Sequence, residues 1–349
     1  MLTQQNIITK ICKTVTAAVA AYPLSPNSKT IRVDVATNTA ALRKSTALQI
    51  SSLFKGSVIN PTDPNTVLLP EKFKVIVKPK LGAVKTGSSA EYGLLGQIDL
   101  SKFKMSGFET ISNEFSRGIL PSNIKEDSDV KGVSDFNNSI LTLLSRQVKG
   151  VTLRINGMSF NNVIGCVPVT IGEPKADFVL VSVKPQAMEF YPSCFISYKL
   201  GRDAKGFQNY SGLSEKSSPT IFNDNETVAF YKKLETLQNS GNRKSAYSEI
   251  ENKNTAAYSV WGMDYGKQYG VNNVHFLAQG EVSIYGNSLS YTHTQKNGDF
   301  NFSSGYEPVF GARYTPSRNN VGPGGIRVNG MRLGIFPAAY FSGRDALKI

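Results

Sequence analysis

The segment Gly172–Tyr210, GEPKADFVLVSVKPQAMEFYPSCFISYKLGRDAKGFQNY, carries two strand patterns back to back. Asp177 opens FVLV, an apolar run of the kind that fills a buried strand. Lys184-Pro185-Gln186 supplies a break, and CFISYK follows as the second strand. Side chains alternate along a strand, so Ser197 and Lys199 point one way and Ile196 and Tyr198 the other. The first pair is expected in a cleft and the second in the core.

An acid and an S-x-K pair on adjacent strands can bind a divalent metal beside a phosphodiester and steady an attacking water. A hard cation such as Mg²⁺ takes carboxylate and carbonyl oxygens and keeps several waters. It lowers the pKa of a bound water and stabilises charge on phosphate. Lys199 would orient that water or offset the developing negative charge. Taken singly, an acid at a strand start and a lysine at a strand end are ordinary surface features. Their order here is what favours a site.

GEPKAD…ISYK resembles the core of the PD-(D/E)XK, or restriction-endonuclease-like, nuclease superfamily. It is most similar to phage-encoded forms, in which a K-A-D strand precedes an I-S-x-K strand. The similarity covers residues 105–280. It implies an α+β or α/β fold, with a mixed sheet flanked by helices and with N-terminal and β-rich C-terminal elaborations. The activity implied is metal-dependent hydrolysis of phosphodiester bonds in DNA, with Mg²⁺ or Mn²⁺ as cofactor and Asp177, Ser197 and Lys199 as catalytic residues. The superfamily also places a glutamate on a helix before the sheet. In GFETISNEFSRGIL, Phe108, Ile111, Phe115 and Ile119 recur at helical spacing. Glu114 beside them is the candidate second metal ligand with Asp177, and Glu109 competes with it. Ser197 stands where the family has its second acid, and a serine supplies no full negative charge. Glu173 and Glu189 are candidates to compensate. FQNYSGLS resembles the start of the helix that follows the lysine in such proteins. Gln208 and Tyr210 there could contact phosphate or orient water, or be a surface polar group and a half-buried aromatic.

Charge agrees with a polyanionic partner. The 349 residues hold 39 Lys and Arg against 26 Asp and Glu, a net charge of +13. Lys72, Lys74, Lys78, Lys80 and Lys85 are clustered, and KFKVIVKPK alternates, so one strand face is expected to be basic. Arg313, Arg318, Arg327, Arg332 and Arg344 punctuate an aromatic, glycine-rich C-terminal segment. With Tyr314 and Phe336 they could track phosphates and stack on bases. Pairing within the protein is the plainer alternative for both clusters.

Three cysteines (Cys12, Cys166, Cys194) without a C-x-x-C pair, and only His275 and His293, argue against a zinc site or a disulfide framework. The chain reads as made in a reducing compartment. No G-x-x-x-x-G-K-[ST] loop occurs, so a nucleotide-driven motor is excluded. No apolar run reaches the ~18 residues of a membrane span. Lys10 and Lys13 before TAAVAAYP faintly resemble a signal peptide, but Ile7, Ile8, Ile11, Val15 and Val19 fit one helical face better.

Three regions are expected: 1–104, mixed; 105–280, the nuclease-like core; and 281–349, β-rich. Helices are expected near 108–120 and 135–147 and through much of 205–241, with VHFLAQG returning to the sheet and SRNNVGPGGIR as a loop. The expected setting is the cytoplasm of a host cell, with a virion as the other option. A homo-oligomer and virion proteins are compatible partners. The alternative function is a nuclease-like protein that binds DNA, or builds a virion, without cutting.

Overall fold

A computed structural model describes residues 2–24, 28–35, 40–79, 94–96, 98–121, 127–141, 143–144 and 149–349. Lys80 and Lys85 lie outside the described residues. The chain divides into two units, Met1–Val84 and Lys85–Ile349.

In the first unit, helix α1 (Gln4–Thr14) is capped by Thr3, whose side chain accepts the Asn6 N–H. Strands β1 (Ala18–Pro23) and β2 (Thr30–Val35) follow, then helix α2 (Ala40–Leu53), strands β3 (Val58–Asn60) and β4 (Asp63–Leu68), and β5 (Lys74–Pro79). The sheet order is β1-β2-β5-β4-β3, with β2 and β5 parallel. Ile31, Val33, Val35, Val75 and Val77 join Ile7 and Ile11 of α1, Ile50 of α2 and Phe54 just after it in one core. Both helices therefore cover one face of the sheet, and alternation sends Arg32, Asp34, Lys74 and Lys78 to the other.

The second unit contains β6 (Lys104–Met105), α3 (Asn113–Ser116), α4 (Asp127–Leu141), β7 (Val151–Ile155), β8 (Met158–Pro168), β9 (Phe178–Lys184) and β10 (Glu189–Lys199). Then come β11 (Ser211–Gly212), α5 (Asn225–Asn239), β12 (Ser245–Glu249), α6 (Lys253–Trp261), β13 (Phe276–Tyr285), β14 (Ser288–Lys296), β15 (Pro308–Val321), β16 (Arg327–Pro337) and β17 (Ala346–Lys348). One sheet runs β13-β14-β7-β8-β9-β10-β6, and β13 also pairs β10 in parallel, so six of its strands close into a ring. Helix α4 packs on β8, β9, β10 and β13. A Cβ at Gly132 would stand 2.7 Å from the Tyr198 ring, so only glycine admits this approach. The other sheet, β11-β16-β15-β12-β17, shares the main hydrophobic core with the ring. The result is a mixed α+β fold, with parallel and antiparallel pairs in every sheet among the described residues.

VHFLAQG returns to the sheet as expected, beside β10. Several expected elements are corrected. The helix expected over 108–120 shrinks to the single turn α3. Ser112 is extended and caps it through a bond from the Phe115 N–H, and Gly118 (φ 75°) ends it. Ile119 consequently leaves the apolar face and is exposed. The helix expected near 135–147 is α4, shifted towards the N-terminus. Apart from a 3-10 turn at Ala204–Gly206, the segment 205–241 is helical only from Asn225, after the Asp224 cap; Pro219 and Gly212 interrupt what precedes it. The loop expected over SRNNVGPGGIR is confined to 322–326, where Gly324 and Gly325 take positive φ, and the residues before and after it belong to β15 and β16.

Candidate functional site

Strands β9 and β10 form an antiparallel hairpin whose turn is the Pro185–Ala187 helical turn, closed by Met188 in the left-handed region. The first six residues of β9, FVLVSV, are buried, as a strand covered on both faces requires. A register shift between Pro192 and Cys194 bulges β10 before the end that carries Ser197 and Lys199. Asp177 sits where β9 begins. Its N–H donates to the Ile196 carbonyl at 2.9 Å, and its own carbonyl accepts from the Val169 N–H at 3.0 Å.

This anchoring points the Asp177 carboxylate at the end of β10. Its Oδ2 accepts from the Ser197 hydroxyl at 3.1 Å, from the Lys199 ammonium at 3.2 Å, and from the Tyr198 backbone N–H. Asp177, Ser197 and Lys199 are thus brought together as expected. The expected cleft is corrected at Ser197, which is buried at 1% exposure, while Lys199 keeps a quarter of its side chain in solvent.

The turn after Lys199 is held from β13. Lys199 lies in register with Gln279, a fully buried residue whose amide donates to the Leu200 carbonyl at 3.1 Å and the Asp203 carbonyl at 3.0 Å. The Tyr306 hydroxyl donates to Gln279 Oε1 at 2.8 Å and fixes the amide's orientation. Gly201 has φ 107°, and a Cβ there would meet Gln279 Nε2 at 2.8 Å.

Lys175 is the residue that the strand pattern alone misses. It lies two positions before Asp177, and its ammonium donates to the carbonyls of Tyr210 at 2.6 Å and Ser259 at 3.0 Å. Burial, with a smaller contribution from the nearby Lys199 charge, pulls its pKa down to about 7, against the opposing pull of Asp177. Its sequence signal was its place inside GEPKAD; the carbonyls it clamps lie far along the chain.

The remaining candidates divide. Glu114 is half-buried on α3, and the donors to the Asp177 carboxylate are Ser197, Tyr198 and Lys199 of β10. The chain just before α3 does approach the site's end of the sheet, because the Thr170 N–H donates to the Ile111 carbonyl at 2.8 Å. Glu109 is exposed. Glu189 opens β10 and pairs with Lys184, at the opposite end of the strand from Ser197, about 26 Å away at ~3.3 Å per residue. That distance removes it as a compensating acid. Glu173 is exposed and pairs with Lys216 at 3.1 Å. Among the described residues, no group of three or more His, Cys, Asp or Glu side chains is arranged to hold a metal ion.

Gln208 is exposed with φ 62° in a non-helical segment. Tyr210 corrects its expectation. It is buried, and its hydroxyl donates to the Tyr306 carbonyl, so it serves packing rather than phosphate contact. Phe336 is likewise buried, and Arg344 stacks over Tyr340 at 4.2 Å. Arg313 and Arg318 are exposed on β15, and Arg313 stands directly opposite Arg332 of β16. Like charges so placed repel, which an anion would relieve. Lys72 is exposed in the turn before β5, Lys74 is half-buried and Lys78 exposed. Lys80 cannot be placed, being outside the described residues.

The chain is 24% identical over 217 residues to the type II restriction enzyme CviJI of Paramecium bursaria Chlorella virus IL3A. That alignment covers 57% of this chain and 58% of the viral enzyme, so the chain spans little more than half the length of its relative. No family model matches the chain, and no solved structure gives a significant match. Among the described residues, no helix is long and apolar enough to cross a membrane.

Proposed function

We propose that this chain is a metal-dependent DNA nuclease of the PD-(D/E)XK type, virus-encoded and acting in a host cell's cytoplasm. The observation that carries this is the meeting of the Ser197 hydroxyl and the Lys199 ammonium on one carboxylate oxygen of Asp177, at the end of an antiparallel hairpin with a parallel strand beside it. The distant similarity to a viral restriction enzyme supports the same class.

The donor set is hard oxygen, which suits Mg²⁺ or Mn²⁺. Asp177 would hold the ion, with Glu114 as the proposed second carboxylate and the Ser197 hydroxyl on a bound water. The ion would lower the pKa of that water and offset charge on the phosphate. Lys199 carries the positive charge that faces the developing negative charge, and its pairing with Asp177 keeps it aimed there. Gln279 fixes the turn beyond Lys199 and so limits its drift. Lys72, Lys74, Lys78, Lys80, Gln208, Arg313 and Arg318 are the proposed DNA contacts.

Plasmid cleavage in Mg²⁺ or Mn²⁺, with EDTA and Asp177→Asn controls, tests this reading. Cleavage that survives EDTA or the substitution would remove it. A second reading has its own observation: Ser197 replaces an acid, and no three-carboxylate cluster is present among the described residues. A protein that binds DNA and never cuts it with any divalent ion would be a nuclease fold retained for binding.

A further inference from the structure

Behind Lys175 lies a cavity of about 450 Å³, lined by Glu173, Lys175, Ser211, Lys216, Tyr258 and Gly262 among others. Lys175 connects it to the Asp177–Lys199 pair, both of which act electrostatically on its ammonium. Three features point to a ligand. The Ser211 hydroxyl is buried and has no hydrogen-bond partner among the described residues, which costs free energy unless something else binds it. The Tyr258 ring is half-exposed on the wall and supported edge-on by Tyr265 at 6.0 Å. The Lys216–Glu173 pair belongs to the same lining and leaves both side chains more than three-quarters exposed, so it opens at little cost. The volume suits a small organic molecule rather than a lone phosphate. Lys175 and Lys216 supply N–H donors against the one carboxylate of Glu173, which favours an anion.

We infer that this cavity binds a single 2′-deoxynucleotide, its base against Tyr258 and its phosphate between Lys175 and Lys216, with Ser211 donating to it. The choice of deoxynucleotide rests on the DNA reading above. Two sources share this chemistry: a nucleotide turned out of the DNA strand at the site, and a free nucleotide.

Calorimetric titration of the full chain in EDTA with dAMP, dGMP, dCMP and TMP, and separately with inorganic phosphate, tests binding without cleavage. At least one nucleotide should bind at least tenfold more tightly than phosphate. Tyr258→Leu should weaken it at least fivefold, a lower bound for losing base stacking. Lys216→Ala, at an exposed position safe for folding, should weaken it about tenfold, and Glu173→Gln should tighten it. In a second arm, duplexes carrying 2-aminopurine are added in EDTA. Brightening in wild type that is lost in Tyr258→Leu assigns the ligand to the strand; nucleotide binding with silent duplexes assigns it to free nucleotide. Nucleotides that bind no better than phosphate, or bind all three variants as they bind wild type, overturn the inference. Nucleotide binding together with no metal-dependent cleavage would sink the nuclease reading and leave the cavity's assignment standing.

Discussion

The ammonium of Lys199 lies 3.2 Å from Oδ2 of Asp177, across the mouth of the β9–β10 hairpin. The same oxygen accepts the Ser197 hydroxyl and the Tyr198 N–H. One carboxylate therefore closes the end of the sheet and gathers the site. A role in structure and the chemical role proposed for it fall on one residue, and substitutions can separate them.

Asp177→Ala removes the acceptor of three donors, one of them a backbone N–H in a buried strand. It should destabilise the fold by about 1–3 kcal/mol. Asp177→Asn keeps an acceptor and should hold stability close to wild type while abolishing cleavage. Urea melts and plasmid nicking on both variants check this. An Asn variant that cuts at more than a few per cent of wild type contradicts the role given to the carboxylate.

Lys199→Met should lose cleavage by a factor of about 100 or more, as for removal of a preorganised charge at a transition state. DNA affinity in EDTA should fall far less, since one charge among many serves binding. Equal losses in binding and cleavage would show that Lys199 only holds the strand.

The hairpin was legible because its signals are local. FVLV is apolar without a break, and I-S-Y-K alternates, so two neighbouring strands with Ser197 and Lys199 on one face followed from strand geometry. The lysines of β5 were legible on the same grounds, and Lys74 and Lys78 do share a face. What stayed hidden depends on distant partners. Tyr210 read as a polar aromatic, yet its hydroxyl is used by a carbonyl 96 residues later. Lys175 drew no reading of its own, because nothing nearby says that it clamps Ser259, 84 residues away. The ring closure needs parallel pairs β10–β13 and β14–β7, which no periodicity announces. The helix expected over 108–120 misled for a local reason: its apolar spacing was correct, and Ser112 and Gly118 overruled it.

The basic strand should act without regard to sequence. Each neutralised phosphate contact lowers the slope of log K against log salt by ~0.9. Lys74→Gln with Lys78→Gln should therefore flatten the slope by about 2 and weaken all duplexes alike. Filter binding over a salt series measures both. Unchanged slope and affinity would assign these lysines to the protein's own electrostatics, where Lys78 already helps lower the pKa of Asp63, chiefly set by Thr66.

Stability should fall in mild acid through His275. Its Nδ1 accepts the Phe195 N–H at 3.1 Å, so the ring is neutral in the fold, and burial pulls its pKa down to about 4. The unfolded chain takes up the proton near 6.5, the folded one only near 4. The contribution is thus full above pH 6.5 and is lost as pH falls towards 4, up to about 3 kcal/mol. Urea midpoints between pH 7.5 and 4 should slope down, and His275→Asn should flatten that slope. A slope unchanged in the variant would place the acid sensitivity elsewhere.

Ser197→Glu tests the departure at the centre of the site. The position is 1% exposed and within hydrogen-bond reach of Asp177, so a second carboxylate there meets a like charge with little water to screen it. Without a divalent ion the variant should melt below wild type, since two close carboxylates cannot both stay ionised cheaply. Lys199 offsets only part of this. Mn²⁺ should then raise the melting temperature of the variant more than that of wild type, because the added oxygen binds the ion and the ion removes the repulsion. Ser197→Ala should lose the hydroxyl bond alone, with a small drop in cleavage and no change in the Mn²⁺ response. If Glu melts like wild type and ignores Mn²⁺, position 197 does not face a metal. If the wild type never cuts and the Glu variant does, the serine marks a site that kept its geometry and lost its second acid.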